Sequence, residues 1–336
     1  MGLFKQHEKW KNFNGNINIY EDLDSSDLAK LLREDHIHSL QFYRFKNPAR
    51  KTWEVLNEFY RANPQFGHHI FWHDPVDFSF LDYIPSVSDL SVTSFLTTDF
   101  TPLLKMTNLQ RLRIGETKST SIDLSFISEF KSLKSLYIDG MKKGLQCIAE
   151  LLELQTLTLR GIKLANLDFI TGLKNLGELH LLFGSYKNLE AISTAKNLRT
   201  LEMSRTRQIP NYYFLNSLES LDSLCFEGMS TIEVLPDLSG LKNLKKIRID
   251  NNSRLRDISS LEQLDKLEQL VMFFPENFKA ELRKTLIIQL TKILLESNTI
   301  KMSTLLDVID EQTKIKLTAK GIDSWNYAAA TTTVLN

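Results

Sequence analysis

Apolar residues recur along this chain in one spaced pattern, φxxφxxφxφ with φ apolar, nine times between residues 84 and 272. The matches are Ile84-Val87-Leu90-Val92, Met106-Leu109-Leu112-Ile114, Phe130-Leu133-Leu136-Ile138, Leu151-Leu154-Leu157-Leu159, Leu173-Leu176-Leu179-Leu181, Ala195-Leu198-Leu201-Met203, Leu218-Leu221-Leu224-Phe226, Leu241-Leu244-Ile247-Ile249 and Leu264-Leu267-Leu270-Met272. Their third apolar positions lie 22, 24, 21, 22, 22, 23, 23 and 23 residues apart. A constant period in the range of about 20–29 residues marks stacked repeats. The closing φxφ is a short strand with its apolar side chains on one face. Thirteen residues before each third position stand Asp77, Asp99, Asp123, Gly144, Asn166, Asn188, Asn211, Val234 and Asp257, seven of nine being Asp or Asn. A short polar acceptor followed by apolar residues one and four positions later, as in Asp99-Phe100…Leu103, predicts a capped helical or 3₁₀ turn. Each unit is then a turn and a strand; stacked side by side, the units share one core and pair their strands in parallel.

This two-part motif is that of leucine-rich repeats. The stretch LKNLKKIRIDNNSRLRDISSLEQLDKLEQL, Leu241 to Leu270, resembles the ~22-residue repeats of bacterial internalins and the related SDS22-like class, and the resemblance covers about residues 77–272. It implies an α/β fold, a solenoid with a parallel concave sheet and short helical or 3₁₀ convex segments. The family's asparagine three residues after the strand is present only as Asn252; the other repeats hold Phe95, Thr117, Met141, Ile162, Gly184, Thr206, Met229 and Pro275 there, which implies a less regular coil. The signal peptide and wall-anchoring tail of surface internalins have no counterpart, so an adhesin role is not implied.

The flanks read as ends of the coil. Residues 1–76 form a divergent N-terminal capping region: NINIY (16–20) and HSLQFYRF (38–45) are strand-like, SSDLAKLLRED (25–35) reads as a capped helix, 51–63 as a second helix and HHIFWHD (68–74) as a strand. Residues 77–275 are the nine-repeat array. Residues 276–336 form a helical C-terminal cap and tail, with Leu282, Leu286, Ile287, Leu290, Ile293 and Leu294 on one face of a helix over 276–298 and a loose AAATTTVLN at the end.

Composition fits this picture. Of 336 residues, 55 are leucine, the inward face of the coil; 42% hydrophobic and 24% charged residues are those of a soluble folded protein. Lys plus Arg balance Asp plus Glu at 41 each, which argues against a nucleic-acid partner. MGLFKQHEKWKN lacks the apolar core of a secretory signal and no apolar run reaches about 18 residues, so a cytoplasmic, non-membrane protein is expected. Cys147 and Cys225 read as reduced thiols without a role. No phosphate loop, GxSxG, HExxH or CxxC occurs, and neither a cofactor nor a catalytic residue is expected. His68, His69, His73 and Asp74, with His36 and His38 upstream, are the one metal candidate. On a strand His69 and His73 stand about 13 Å apart, too far for one ion, so an ordinary aromatic and imidazole surface is the better reading.

The repeat register assigns the outward strand positions and those just beyond them to a binding face: Arg111, Arg113, Glu116, Tyr137, Asp139, Arg160, His180, Phe183, Glu202, Arg205, Glu227, Arg248, Asp250, Phe273 and Phe274. Aromatic and arginine side chains are enriched in hot spots, and the alternating signs suit a protein partner better than a polyanion. The expectation is a non-catalytic, monomeric protein that binds another protein on its concave face. Among bacterial proteins of this look, the resemblance implies neutralisation of a cognate toxin, as by an immunity protein. A regulatory scaffold subunit or a host-directed effector is the alternative in the same class, and an enzyme or metal protein using the histidine cluster the alternative in another.

Overall fold

The chain enters its sheet through a hairpin. Strand β1 (Trp10–Phe13) runs antiparallel to β2 (Asn16–Ile19), with Trp10 opposite Ile19. Asn14 and Gly15 between them have φ of +50° and +90°, the pair of left-handed residues that a two-residue hairpin turn requires. The computed structural model describes residues 8–45, 47–304 and 309–324, so the AAATTTVLN tail lies outside the described residues. They fall into two compact units, Met1–Leu154 and Gln155–Asn336.

In the first unit every strand after β2 is parallel to its neighbour. Helix α1 (Ser25–Leu31) leads to β3 (Ser39–Phe42), helix α2 (Arg50–Ala62) to β4 (Gly67–Trp72), and then β5 (Asp89–Ser94), β6 (Arg111–Ile114) and β7 (Ser135–Asp139) follow in spatial order. The 3₁₀ turns Phe78–Tyr83, Thr101–Lys105, Ser125–Glu129 and Leu145–Glu150 take the place of the helices. The two helical repeats are packed with aromatic rings. Trp53 stacks on Phe80 at 4.3 Å and meets Phe42 edge-on at 4.8 Å. At the start of α1, the Asp24 side chain accepts from the Ser26 N–H and Asp27 from the Asp24 N–H, and Lys9 Nζ reaches both carboxylates at 2.8 Å, which keeps the buried Asp27 paired.

The second unit continues the pattern with β8 (Thr156–Arg160), the two-residue β9 (Lys163–Leu164), β10 (Glu178–Leu182), the two-residue β11 (Ser185–Tyr186), β12 (Thr200–Ser204), β13 (Ser223–Glu227), β14 (Lys246–Asp250) and β15 (Gln269–Phe273). The long strands β8, β10, β12, β13, β14 and β15 pair in parallel in that order; β9 and β11 pair with each other in a second small sheet. Helix α3 (Ala280–Glu296) is the helix expected after the array. The chain then returns to the sheet twice more, through β16 (Met302–Ser303), helix α4 (Glu311–Ala319) and β17 (Asp323–Ser324), elements the apolar pattern does not announce. Lys320 Nζ donates to the carbonyls of Leu294, Leu295 and Ser297 and closes the free end of α3.

The third apolar residue of each repeat, Leu90 through Leu270, is at most 2% exposed. Each of the seven expected Asp and Asn residues accepts the backbone N–H two residues on, at 2.7–3.4 Å. The two exceptions have different causes. At Gly144, φ is +82° and a Cβ would lie 2.6 Å from Asp123 Oδ1, the cap of the preceding repeat. In the repeat of Val234 the same turn is made three residues later, where Asp237 accepts from Ser239 N–H at 3.0 Å.

Asn252 is buried: its amide donates to Phe226 O at 2.9 Å and accepts from Met229 N at 2.7 Å, both in the preceding repeat. Elsewhere hydroxyls substitute. Val76 N donates to Thr97 Oγ1 at 2.9 Å, Thr97 and Ser94 share a 2.6 Å bond, and Ser94 Oγ donates to Asp74 O at 2.7 Å. One backbone feature recurs at the strand ends. The residue after β7, β8, β10, β12, β13 and β14 is left-handed: Gly140, Gly161, Phe183, Arg205, Gly228 and Asn251, with φ between +48° and +75°.

Candidate binding face

Inward leucines leave alternate strand residues on the face turned away from the core. On the first unit the register aligns Asn18, Gln41, His69, Ser91, Arg113 and Tyr137 in one row. Arg113 is exposed and its guanidinium lies 3.9 Å from the Tyr137 ring centre. Arg111 Nε pairs with Asp89 at 2.7 Å and its other end donates to Gln65 O, so this arginine is tied into the sheet. Glu116 is exposed beyond β6, whereas Asp139 is buried and accepts from Tyr137 OH at 3.4 Å.

A second row in this unit was not among the expected site residues. By register, Tyr20, Tyr43 and Phe71 stand side by side at the ends of β2, β3 and β4, with Tyr20 and Tyr43 edge to face at 5.8 Å and Arg44 5.3 Å from the Tyr43 ring centre. Phe71 is 74% exposed. Its signal was the alternation of NINIY, SLQFYRF and HHIFWHD, which places these rings opposite the buried Ile19, Phe42 and Ile70.

The histidines expected as a surface are dispersed. His68 points into the core, bonded to Tyr60 OH at 2.7 Å among Phe42, Trp53 and Tyr60, and burial holds its pKa down at about 3. Its neighbour His69 lies on the opposite face, its pKa lowered chiefly by burial, and His73 stacks on Phe95 at 5.4 Å. Among the described residues no three His, Cys, Asp or Glu side chains are grouped to hold a metal ion.

On the second unit the central row runs Thr158, His180, Glu202, Cys225, Arg248 and Val271. His180 is half-buried between two carboxylates, its Nδ1 bonded to Glu202 at 2.8 Å and its Nε2 3.8 Å from Glu178. Burial opposes protonation, but Glu178 and Glu202 override it and raise the His180 pKa to about 9. Burial likewise pushes the thiols up, Cys225 to about 12 and Cys147 to about 11; both are free and neither is a poised nucleophile. Arg248 pairs with the buried Asp250 at 2.6 Å and lies 5.9 Å from the ring centre of Phe273. Phe274 packs on Phe278 at 5.3 Å and on Arg283 at 5.4 Å, both beyond the strand. Glu227 accepts from Ser204 Oγ at 3.1 Å. Phe183, 46% exposed, is flanked by Arg160 at 5.1 Å and Arg205 at 5.3 Å.

No known family profile matches the sequence, and no curated protein matches it either. Solved structures do. A leucine-rich-repeat protein of Leptospira interrogans is 16% identical, with 84% of this chain and 70% of that one covered at a TM-score of 0.58. An internalin (inlF) of Listeria monocytogenes is 17% identical over 80% of this chain and 88% of its own, with a TM-score of 0.46. The plant peptide hormone receptor RGFR1, solved in complex with RGF2, is 16% identical over 80% of this chain and 45% of its own, with a TM-score of 0.43. The fold is that of leucine-rich-repeat proteins. Among the described residues no helix is long and apolar enough to cross a membrane.

Proposed function

We propose that this chain is a non-catalytic recognition module that binds another protein on the outer face of its repeat sheet. The observation that carries this reading is where the exposed rings lie. Among the described residues the strongly exposed rings are Phe13, Tyr43, Phe71 and Phe95 in the first unit and Phe183 and Tyr213 in the second; all but Tyr213, which sits on a 3₁₀ turn, are on a strand of the sheet or directly after one. A merely solvated face accounts for its charges but has no use for exposed phenylalanine, whereas a hot spot uses aromatic anchors ringed by polar groups.

The purpose we assign is neutralisation of a cognate toxin by a monomeric, cytoplasmic immunity protein. The tied arginines and paired carboxylates present a fixed pattern of alternating charge, which favours one partner over its rivals. Affinity capture from the source cells tests the face, comparing the natural chain with Arg111→Glu plus Arg113→Glu, with Tyr43→Ala plus Phe71→Ala, and with Phe273→Ala plus Phe274→Ala. Loss of the same partner in the first two folded variants is expected; retention in all three refutes the assignment. Co-expression with the product of the adjacent gene tests the purpose: growth rescued from a lethal neighbour is expected, and continued killing by a proven toxin removes the immunity role.

A further inference from the structure

We propose that the strand-end edge of the second unit is a groove for an acidic segment of a partner protein. The inference rests on the recognition reading above and adds the partner's chemistry. It starts from the backbone. Of the six left-handed residues that follow β7, β8, β10, β12, β13 and β14, three are glycine and one asparagine, the residue types that tolerate this conformation; the other two are Phe183 and Arg205, in consecutive repeats. A bulky residue held there is an unfavourable local choice, and such choices persist where the side chain itself is needed. The next repeat makes room for it: a Cβ on Gly228 would lie 2.8 Å from Arg205 Cγ.

These side chains act as a set. Phe183 lies between the guanidinium groups of Arg160 and Arg205, an exposed ring with a cation on either side. In each of the three repeats the chain runs two or three residues further into a second feature, the small sheet of β9 and β11 extended by the bridge from Ser185 to Arg207. Over it lies a groove of about 360 Å³, lined by Lys163, Lys187 and Arg207 with uncharged neighbours and no carboxylate. Five cations and one ring thus share one edge of a chain whose formal net charge is zero. Carboxylates of an extended segment complement the groove, and an apolar or aromatic residue within that segment covers Phe183. The same strands carry Glu178, Glu202 and Glu227 on the adjoining face. They would repel a continuous polyanion laid across the repeats but leave a short acidic segment undisturbed, which favours protein over nucleic acid.

The test titrates the full chain, at low salt, into a fluorescein-labelled peptide of about twelve Glu and Asp residues with one central Tyr, and into a labelled oligothymidylate of equal length, and reads fluorescence anisotropy. Saturable peptide binding is expected. Lys163→Glu plus Arg207→Glu should weaken it about tenfold or more. Phe183→Asn, which suits the left-handed backbone and should leave thermal stability unchanged, should weaken it severalfold. Lys51→Glu plus Lys105→Glu in the first unit makes the same change in net charge and should leave it nearly unchanged. Absence of peptide binding, an equal loss with the first-unit reversal, or an oligothymidylate bound as tightly as the peptide each overturns the proposal. The two readings fail separately. If capture is lost in the outer-face variants but the peptide shows no groove-dependent binding, the groove falls and the recognition reading stands; if those variants keep the partner, the recognition reading falls whatever the peptide does.

Discussion

His68 and His180 respond to pH in opposite directions because their surroundings differ. An unfolded histidine titrates near 6.5. Burial lowers His68 to about 3, so the unfolded chain takes up the proton first. Its contribution is complete above pH 6.5 and is lost as pH falls toward 3, on the order of 2 kcal/mol by pH 5. His180, raised to about 9 by Glu178 and Glu202 against its burial, contributes fully below pH 6.5 and loses that contribution as pH rises through 9, roughly 1–2 kcal/mol after allowance for the exposed Glu178. Denaturant titrations across pH should show His68→Gln flattening the acid limb and His180→Gln the alkaline limb. An unchanged limb in either variant would contradict the assignment. The sequence showed that His69 and His73 are too far apart for one ion, but not that His68 is a core residue: that depends on Tyr60 and Trp53, which reach it from a helix the local pattern does not place against the strand.

The inter-repeat bonds can be ranked in the same way. Asn252→Leu should cost about 2–4 kcal/mol, because it strands both a buried carbonyl at Phe226 and a buried N–H at Met229. Thr97→Val leaves Ser94 bonded to Asp74 and strands only Val76 N–H, so about 1–2 kcal/mol is expected. Equal losses in the two variants would contradict this ranking. The missing asparagine ladder was legible as an absence. What replaces it was not, since Ser94 and Thr97 flank the motif position and do not occupy it.

At the level of the turn, an Asp or Asn at a fixed offset makes seven of the 3₁₀ segments readable in the sequence. An oxygen placed to accept the N–H two residues on satisfies a donor that the turn would otherwise orphan, so the requirement leaves a mark in composition. The repeat of Val234 shows where such reading goes astray: counting back thirteen residues lands on a valine, while the turn is made by Asp237. Asp237→Ala should therefore lower the urea midpoint measurably, and Val234→Ala should lower it distinctly less through the cap. The reverse order would restore the simple count. The first hairpin had its own mark in Asn14-Gly15 between alternating residues, a stronger sign of β1 than anything that announces β16 or β17. Two-residue strands carry too little pattern to be seen, and their positions follow from the helices α3 and α4 that deliver them.

For the molecule as a whole, the repeating fold and its apolar core were legible because stacking forces every unit to repeat the same apolar positions. The binding chemistry was less so, because outward residues are free to differ. The second unit's arginines and Phe183 fell inside the regular array and could be placed by counting. The row of Tyr20, Tyr43 and Phe71 lies among the longer helical repeats, where no count was available. Nearest-neighbour coupling also means that His68→Gln and His180→Gln should add in the double variant within about 0.5 kcal/mol, a sum that denaturation measures directly. The pinned proton on His180 has one further consequence. A formal charge of zero assumes neutral histidines, but with a pKa of about 9 this imidazole is a permanent cation at pH 7. The folded chain therefore carries one charge more than its composition declares. Native isoelectric focusing should place it above the sequence value of about 7.1, and His180→Gln should bring it back down.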